Sequence, residues 1–148
     1  MKKFKIDTVL VPWDFSEMSE AALKTALEMV ASPDKIEVIH VTPFPASAEY
    51  GVMWGGFAES SVLETMSNSF HAHAAKCGLP DLKFAALFGD PGSRISSYAE
   101  EQGVSLIVIS SHGHTGLSRL LLGSVAERVV RMAPCPVLVL RGSSSSSA

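Results

Sequence analysis

The feature that most constrains the fold is a regular alternation of short apolar runs with longer segments of helical periodicity. The apolar runs are rich in β-branched residues and predict strands at residues 8–11, 36–41, 82–87, 106–109 and 137–140. The first, fourth and fifth runs are apolar throughout, as expected of parallel strands covered on both faces. The alternation predicts an α/β domain in three layers, with a mostly parallel sheet and right-handed crossovers.

Four intervening segments carry apolar residues at the spacing of helices that bury one face. The predicted stripes are Ala22, Leu23, Ala26, Leu27 and Val30 in helix 1; Val62, Leu63, Met66, Phe70, Ala74 and Cys77 in helix 2; Ile95, Tyr98, Ala99 and Gln102 in helix 3; and Val125, Ala126, Val129, Val130 and Ala133 in helix 4.

Residues with known terminal preferences mark several helix ends. Asp90 before a proline predicts the N-cap of helix 3, and Gly78 and Gly103 predict the ends of helices 2 and 3. Ser124 and Glu127 have the spacing of a capping box that opens helix 4.

Length and charge bound the organisation of the chain. Its 148 residues fit one domain, which we place at residues 1–142, and the Ser-rich residues 143–148 are expected to be a disordered tail. Twelve basic and fifteen acidic side chains give a net charge of −3, which argues against a nucleic-acid partner. Charged residues make up 18%, below the usual ~25%, so many positions are buried or touch apolar groups.

Cysteine usage and hydropathy predict a cytoplasmic protein with no membrane association. Cys77 and Cys135 lie far apart with no CxxC pair, which favours a reducing compartment. No apolar run approaches the ~20 residues of a membrane span. The basic N-terminus precedes only a short apolar stretch that Asp7 interrupts, so we expect no signal peptide.

The loops after strands 1, 2 and 4 are the expected place for a ligand, because open parallel sheets bind ligands at the carboxyl ends of their strands. The loop after strand 4 ends with Gly123 just before helix 4. Glycine lets the backbone approach a phosphate, and the free N–H groups of a helix start attract it. The long connection at residues 42–56 is either a functional lid or interface, or merely a flexible loop.

One segment resembles a known signature. The stretch from Ser110 through Ser111 and His112 to Gly113, followed by nine residues and then Gly123-Ser124, is similar to the ATP-binding signature of the universal stress protein family. That signature reads G-x-x-G, nine residues, G, then Ser or Thr. Further similarity to the family covers residues 9–12, 14–16, 39–41, 89–91, 123–127 and 134–139.

The resemblance implies a fold and an assembly. The fold is a Rossmann-like domain of the adenine nucleotide alpha hydrolase-like kind, with a five-stranded parallel sheet in the order 3-2-1-4-5. The assembly is a homodimer in which strand 5 of each subunit meets its mate. An unidentified protein partner is a further expectation.

The resemblance also implies a binding site for ATP, often with a divalent ion such as Mg²⁺ or Mn²⁺ on the phosphates. The matching positions are Asp14 and the main chain of Val41 for the adenosine, Pro12 and Ile109 for the base pocket, and Gly113, Gly123, Ser124 and Val125 for the ribose and phosphates.

The sequence departs from the family pattern at two positions. Ser110 replaces the first glycine of the signature, and its Cβ is expected to crowd a close backbone approach. Trp13 stands where the family usually has a smaller residue. It either stacks on a base, or fills the pocket or packs under helix 1. Some members of the family do not bind ATP, so these departures bear on function.

Two site positions have a structural alternative. Asp14 either contacts the ligand or caps helix 1, since Asp14 and Glu17 have capping-box spacing. Ser124 has the same two roles at helix 4. Arg119 either reaches the phosphates or is solvated.

Four histidines are weak candidates for metal binding. His112 and His114 lack a recognisable third ligand, so we expect structural or phosphate-adjacent roles for them. His71 and His73 lie two residues apart on a helix, point to different sides and are expected at the surface.

Efficient catalysis is not expected, and we name no catalytic residues. The chain has no P-loop of the form G-x-x-x-x-G-K-[ST], and no carboxylate falls between Ser110 and Ser124 to activate a water. The sequence therefore predicts a stress-response protein that binds ATP or another adenine nucleotide as a conformational signal, with candidate lids at residues 42–56 and 114–122. The alternatives are an ATP-independent interaction module and a slow ATPase.

Overall fold

The computed structural model describes residues 3–44, 55–112 and 122–141. Within them the strands are β1 Val9–Pro12, β2 Ile36–Thr42, β3 Lys83–Phe88, β4 Leu106–Ser110 and β5 Val137–Leu140. The helices are α1 Glu17–Met29, α2 Gly55–Lys76, α3 Pro91–Gln102 and α4 Ser124–Met132, and a 3-10 turn at Pro33–Lys35 precedes β2. Every predicted strand is present, with its bounds displaced by at most one residue.

The strands form one sheet in the order β3-β2-β1-β4-β5, and each neighbouring pair is parallel. This confirms the order that the resemblance implied. The chain places β2 and β3 on one side of β1 and then crosses to β4 and β5 on the other. The topological switch point therefore lies between β1 and β4.

Helices cover both faces of the sheet. Val9 and Val11 of β1 belong to one core cluster with Leu23 of α1 and Phe70 of α2. Leu10, the residue between them, belongs to a second cluster that includes residues of α3 and α4. Because alternate strand residues point to opposite faces, each face of the sheet has its own core. The described part of the chain has no helix that is both long enough and apolar enough to cross a membrane.

The helix stripes are only partly buried. In α2, Phe70 is fully buried, but Val62 is 39% exposed. A helix of 22 residues is about 33 Å long, whereas the six residues of β3 span about 20 Å, so α2 extends beyond the strand it covers. Cys77 is exposed because it follows the last helical residue.

One further expectation about burial is wrong. In α4, Ala126 and Val129 are buried, while Val125 and Val130 flank them and are 37% and 48% exposed. In β5, alternate residues pack against the two core clusters, as the apolar run predicted, and all four are partly buried. The strand pairs with β4 and, among the described residues, lies at the edge of the sheet.

The predicted ends of α3 are confirmed. Asp90 is the N-cap, and its carboxylate accepts a hydrogen bond of 3.0 Å from the Ser93 N–H. Gly103 ends the helix with φ +63°, a left-handed conformation that glycine adopts without a Cβ clash. Arg128 of α4 also donates to the Asp90 carboxylate at 3.0 Å, so this cap joins the two helices.

We predict that Asp90→Ala lowers the free energy of unfolding by about 1 kcal/mol, the usual effect of losing an N-cap. The Ser93 N–H, followed by Arg128, lowers the pKa of Asp90 below its ordinary value. A carboxyl whose pKa is lower in the folded state stabilises the fold above its unfolded pKa and loses that effect as the pH falls through the folded pKa.

Urea unfolding of both proteins at neutral pH and in acid tests this prediction. The difference between wild type and Asp90→Ala should shrink in acid. Asp81→Ala removes another exposed aspartate that caps no α-helix and is the matched control. Equal losses in the two variants would show that the cap contributes nothing specific.

Candidate functional site

A pocket of about 300 Å³ opens where β1 and β4 end, at the switch point of the sheet. Residues from the ends of β1, β2 and β4 and from the first turns of α3 and α4 form its wall. The lining residues are Pro12, Trp13, Asp14, Ile39, His40, Val41, Pro91, Ile95, Ile109, Ser110, Ser111, His112, Gly123, Ser124, Val125 and Ala126.

The structure brings together nearly all residues that the sequence proposed for the site. The proposed residues in the pocket wall are Pro12, Trp13, Asp14, Val41, Ile109, Ser110, His112, Gly123, Ser124 and Val125. Gly113 lies outside the described residues, as do His114, Arg119 and most of both candidate lids. The wall also contains residues that the sequence reasoning missed, namely Ile39, His40, Pro91, Ile95, Ser111 and Ala126.

Gly123 fixes the start of α4 against the end of the β4 loop. Its N–H donates to the Ser111 carbonyl oxygen at 2.7 Å. A Cβ on Gly123 would lie 2.6 Å from that same oxygen, so the contact requires glycine. The Ser111 N–H in turn donates to the Leu140 carbonyl at 2.8 Å, which ties the loop to β5.

The N-cap of α4 is Gly123, so the capping box predicted at Ser124 and Glu127 is wrong. Ser124 is the first helical residue, because the hydrogen bond to Ser111 turns the chain one residue earlier. The cap makes no side-chain hydrogen bond, and the first intrahelical bond runs from the Glu127 N–H to the Gly123 carbonyl. The N–H groups of the three residues before Glu127 therefore have no intrahelical acceptor, and these residues line the pocket. Together with the helix dipole they favour an anion.

The main chain of Val41 faces the same pocket from β2. The Ile39 carbonyl accepts from the Trp13 N–H at 2.7 Å, so it points toward β1. The Thr42 carbonyl accepts from the Gly89 N–H at 3.0 Å, on the β3 side. Residues two apart in a strand direct their main-chain N–H and C=O groups to the same side, so the groups of Val41 point toward β1, as the Ile39 carbonyl does. Because β1 ends at Pro12, the groups of Val41 lie beyond the last residue of β1. They offer one donor and one acceptor to a flat polar ligand edge.

Asp14 does not cap α1, so that alternative is wrong. The N-cap is Ser16, whose hydroxyl accepts from the Ser19 N–H at 3.1 Å. The Asp14 carboxylate instead accepts from the Ser16 N–H at 3.0 Å and from the Ser16 hydroxyl. These bonds hold the carboxylate in the wall of the pocket as an acceptor for hydroxyl or amino groups.

Trp13 packs into the core, as one of its alternatives predicted. It is 3% exposed and its ring meets Phe70 of α2 edge-on at 5.2 Å. Its carbonyl accepts from Nδ1 of His40 at 2.7 Å, which leaves Nε2 of a neutral His40 as an acceptor. Trp13 also contributes to the pocket wall. Its ring nevertheless belongs to the core that packs under α1 and α2, so the core accommodates the larger residue.

Backbone strain marks the same turn. Phe15 adopts φ +65°, and it is the only non-glycine residue with positive φ in the part of the chain that the structure describes. A side chain in this conformation costs roughly 1–3 kcal/mol, and such strain concentrates at ligand sites. The Phe15 ring packs edge-on against Trp13 at 6.0 Å and against His40 at 5.2 Å, which compensates part of that cost.

His112 is a buried polar group in the pocket wall. It is 6% exposed, and neither ring nitrogen has a hydrogen-bond partner among the described residues. Its carbonyl accepts from the Ser110 hydroxyl at 3.1 Å, so Ser110 braces the loop. Buried ring nitrogens are usually hydrogen-bonded, and a polar ligand is one group that could satisfy them here.

The pocket thus combines an apolar slot with a polar end. Pro12, Ile39, Ile95 and Ile109 supply aliphatic surface, and the start of α4 supplies N–H donors. Among the described lining residues Asp14 carries the one formal charge at neutral pH, histidines aside. The arrangement can hold a flat, partly apolar group beside an anion.

Comparison of the sequence with known proteins gives matches over most of the chain. Residues 5–141 match the model of the universal stress protein family. The chain is 34% identical over 140 residues to universal stress protein MJ0531 of Methanocaldococcus jannaschii, covering 90% of this chain and 81% of the relative.

Solved structures also resemble this chain over most of its length. The fold resembles that of the hypothetical protein MJ0577 with a TM-score of 0.76 and 28% identity, over 93% of this chain and 96% of the other. It resembles a universal stress protein in complex with cAMP with a TM-score of 0.62 and 25% identity, over 93% and 98% of the two chains. The chain belongs to the universal stress protein family.

Proposed function

We propose that this protein binds an adenine nucleotide, with ATP as the leading candidate, and acts as a nucleotide-dependent switch in a stress response. The observation that carries the proposal is the Gly123 contact, which sets the uncapped start of α4 into the wall of an apolar pocket. A phosphate fits the N–H groups of α4, and a base fits the slot between the β-strand ends. The structural relative in complex with cAMP supports the class of ligand.

Each proposed contact follows from the groups on the pocket wall. The main chain of Val41 suits the polar edge of adenine, which carries both a donor and an acceptor. The Asp14 carboxylate suits the hydroxyls of the ribose. Asp14 is also the one carboxylate among the described lining residues, so a Mg²⁺ or Mn²⁺ ion would arrive bound to the phosphates and not to a protein cage. The nucleotide would shift the protein only by its different affinity for two states.

We predict that ATP with Mg²⁺ binds the wild-type protein and that Gly123→Val lowers the affinity at least about 100-fold. Hydrogen bonds to a charged group contribute about 1.5–3 kcal/mol each, and the valine displaces the start of α4 that would provide two of them. Isothermal titration calorimetry measures the affinity, with ADP, AMP and cAMP titrated in parallel.

Gly78→Val is the matched control for this variant. Gly78 has φ +70° and lies outside the pocket, so a valine there strains the backbone without touching the proposed site. It should lower thermal stability and leave the affinity unchanged. Absence of both co-purified nucleotide and heat of binding in the wild type would contradict the proposal and favour an ATP-independent interaction module.

We propose further that the protein forms a homodimer through β5. Val137, Leu138, Val139 and Leu140 are all only partly buried, and β5 lies at the edge of the sheet in the described chain. An apolar edge strand offers unpaired backbone groups to a second strand. Exposed Val130 and Met132 of α4 lie just before it in the chain, and they add apolar surface.

We predict that Val139→Lys halves the mass measured by sedimentation equilibrium, because a charge on the edge strand opposes pairing with a second copy. Val62→Lys introduces the same charge at an exposed position of α2 and should leave the mass unchanged. Far-ultraviolet circular dichroism checks that both variants are folded. A monomeric wild type, or a dimer that Val139→Lys leaves intact, would refute the proposed interface.

A further inference from the structure

Three side chains that the nucleotide pocket does not use converge where the start of α1 meets the end of α2. Glu20 lies in the first turn of α1, His73 in the last turn of α2, and Cys77 directly follows α2. The ligand atoms of all three lie within 4.8 Å of one another. The Cys77 Sγ lies 3.5 Å from the His73 Nε2, and that nitrogen lies 3.7 Å from the Glu20 Oε1.

The end of α2 holds two of these groups in a defined arrangement. The Cys77 N–H donates to the His73 carbonyl at 3.0 Å, which continues the helical spacing of four residues. Gly78 then turns the chain with φ +70°, and the Leu79 N–H returns to the Ala74 carbonyl at 2.9 Å. The His73 ring rests against the buried Trp13 ring at 5.6 Å. The thiol and the imidazole are therefore preorganised.

Two of the three distances between the ligand atoms are close to those of a tetrahedral zinc site. Bond lengths of about 2.3 Å for Zn–S and about 2.05 Å for Zn–N place sulfur and nitrogen about 3.6 Å apart at the tetrahedral angle. The same geometry places an imidazole nitrogen and a carboxylate oxygen about 3.3 Å apart. The observed sulfur–nitrogen distance of 3.5 Å is close to the first value, and a rotation of the Glu20 side chain would shorten the observed nitrogen–oxygen distance of 3.7 Å.

We propose that Glu20, His73 and Cys77 bind a zinc ion, with a water molecule as the fourth ligand. Thiolate, imidazole and carboxylate together are the donor set that Zn²⁺ takes in proteins, and three protein ligands leave one position open. An ion at this place would cross-link the start of α1 to the end of α2.

The surroundings allow an ion to enter and a proton to leave. Cys77 is exposed and the His73 side chain is 40% exposed, so solvent reaches the cluster. Lys24 pairs with Glu20 at 3.7 Å but is 59% exposed, so it can swing into water when the carboxylate turns to a metal. Desolvation and the neighbouring Glu20 raise the pKa of Cys77. Formation of a metal–sulfur bond would release the thiol proton to the buffer.

Cobalt and zinc titrations test the proposal. Trp13 and Trp54 are the two tryptophans of the chain, so a Trp54→Phe background makes Trp13 the fluorescent reporter beside His73. Added Co²⁺ should produce thiolate-to-cobalt charge-transfer absorption and quench Trp13, and Zn²⁺ should abolish both signals by displacement. Competition with a chromophoric chelator gives the zinc affinity, and zinc should raise the midpoint of thermal unfolding.

Variants assign the signals to these three residues. Cys77→Ser, His73→Gln and Glu20→Gln should each lower zinc affinity at least roughly tenfold, since even outer-shell changes reach that size. Cys77→Ser should also abolish the charge-transfer band. The matched controls are Cys135→Ser and His71→Gln, which remove the second cysteine and an exposed histidine of the same helix outside the cluster. Both should bind zinc as the wild type does.

Two outcomes would overturn the proposal. One is the absence of the charge-transfer band in the reduced wild-type protein. The other is a band that survives Cys77→Ser and disappears in Cys135→Ser. In either case the three side chains form only an ion pair and a thiol–imidazole contact at the end of a helix. Thermal unfolding without metal establishes that each variant is folded, so a loss of binding reflects the ligand and not the fold.

Discussion

The hydrogen bond from Gly123 to the Ser111 carbonyl is the constraint on which the pocket depends. It joins the loop after β4 to the start of α4 at 2.7 Å, and the adjoining Ser111 N–H joins the same loop to the end of β5. Any side chain at Gly123 would collide with the Ser111 oxygen. Gly123 has no side chain that could cap α4, so the first N–H groups of the helix keep no intrahelical partner, and their residues line the pocket. The same close approach that orders the fold forms the end of the pocket at which we propose that an anion binds.

Trp13 links the pocket to the opposite side of the molecule. It follows β1 at the switch point, yet its ring belongs to the core between the sheet and α1 and α2. Its carbonyl orients His40 in the pocket wall, and its ring supports His73 in the Glu20–His73–Cys77 cluster. A residue that departs from the family pattern thus leaves room in the pocket, because its bulk is accommodated in the core.

The sequence was sufficient for the sheet and for most of the pocket. Apolar runs located every strand, and the order followed from the family resemblance. The caps at Ser16 and Gly123 were missed because capping-box spacing also occurs one or two residues from the true cap, and tertiary contacts decide between them. His40 and Ile95 were missed as pocket residues because the search covered only loops after strands, whereas these residues lie within β2 and α3.

The Glu20–His73–Cys77 cluster could not be predicted for a related reason. Spacing on one helix separates His71 from His73, as we expected, and His71 is exposed. His73 is partly buried, however, because α1 places Glu20 against it and the turn after β1 places Trp13 against it. Neither contact leaves a mark in the local sequence, since the partners come from a different helix and strand end.

With this geometry, the net charge of −3 does not argue against an anionic ligand. A basic excess is the usual sign of an anionic partner, and its absence argued only against nucleic acid. A nucleotide is held differently, because a few N–H groups at a helix start suffice for a phosphate and add nothing to the charge count. The described pocket wall has no lysine or arginine, so its affinity for an anion would depend on peptide dipoles and on exclusion of water. Such a site should depend on backbone geometry more than on any one side chain, which is why we expect a glycine, and not a cation, to be its most sensitive residue.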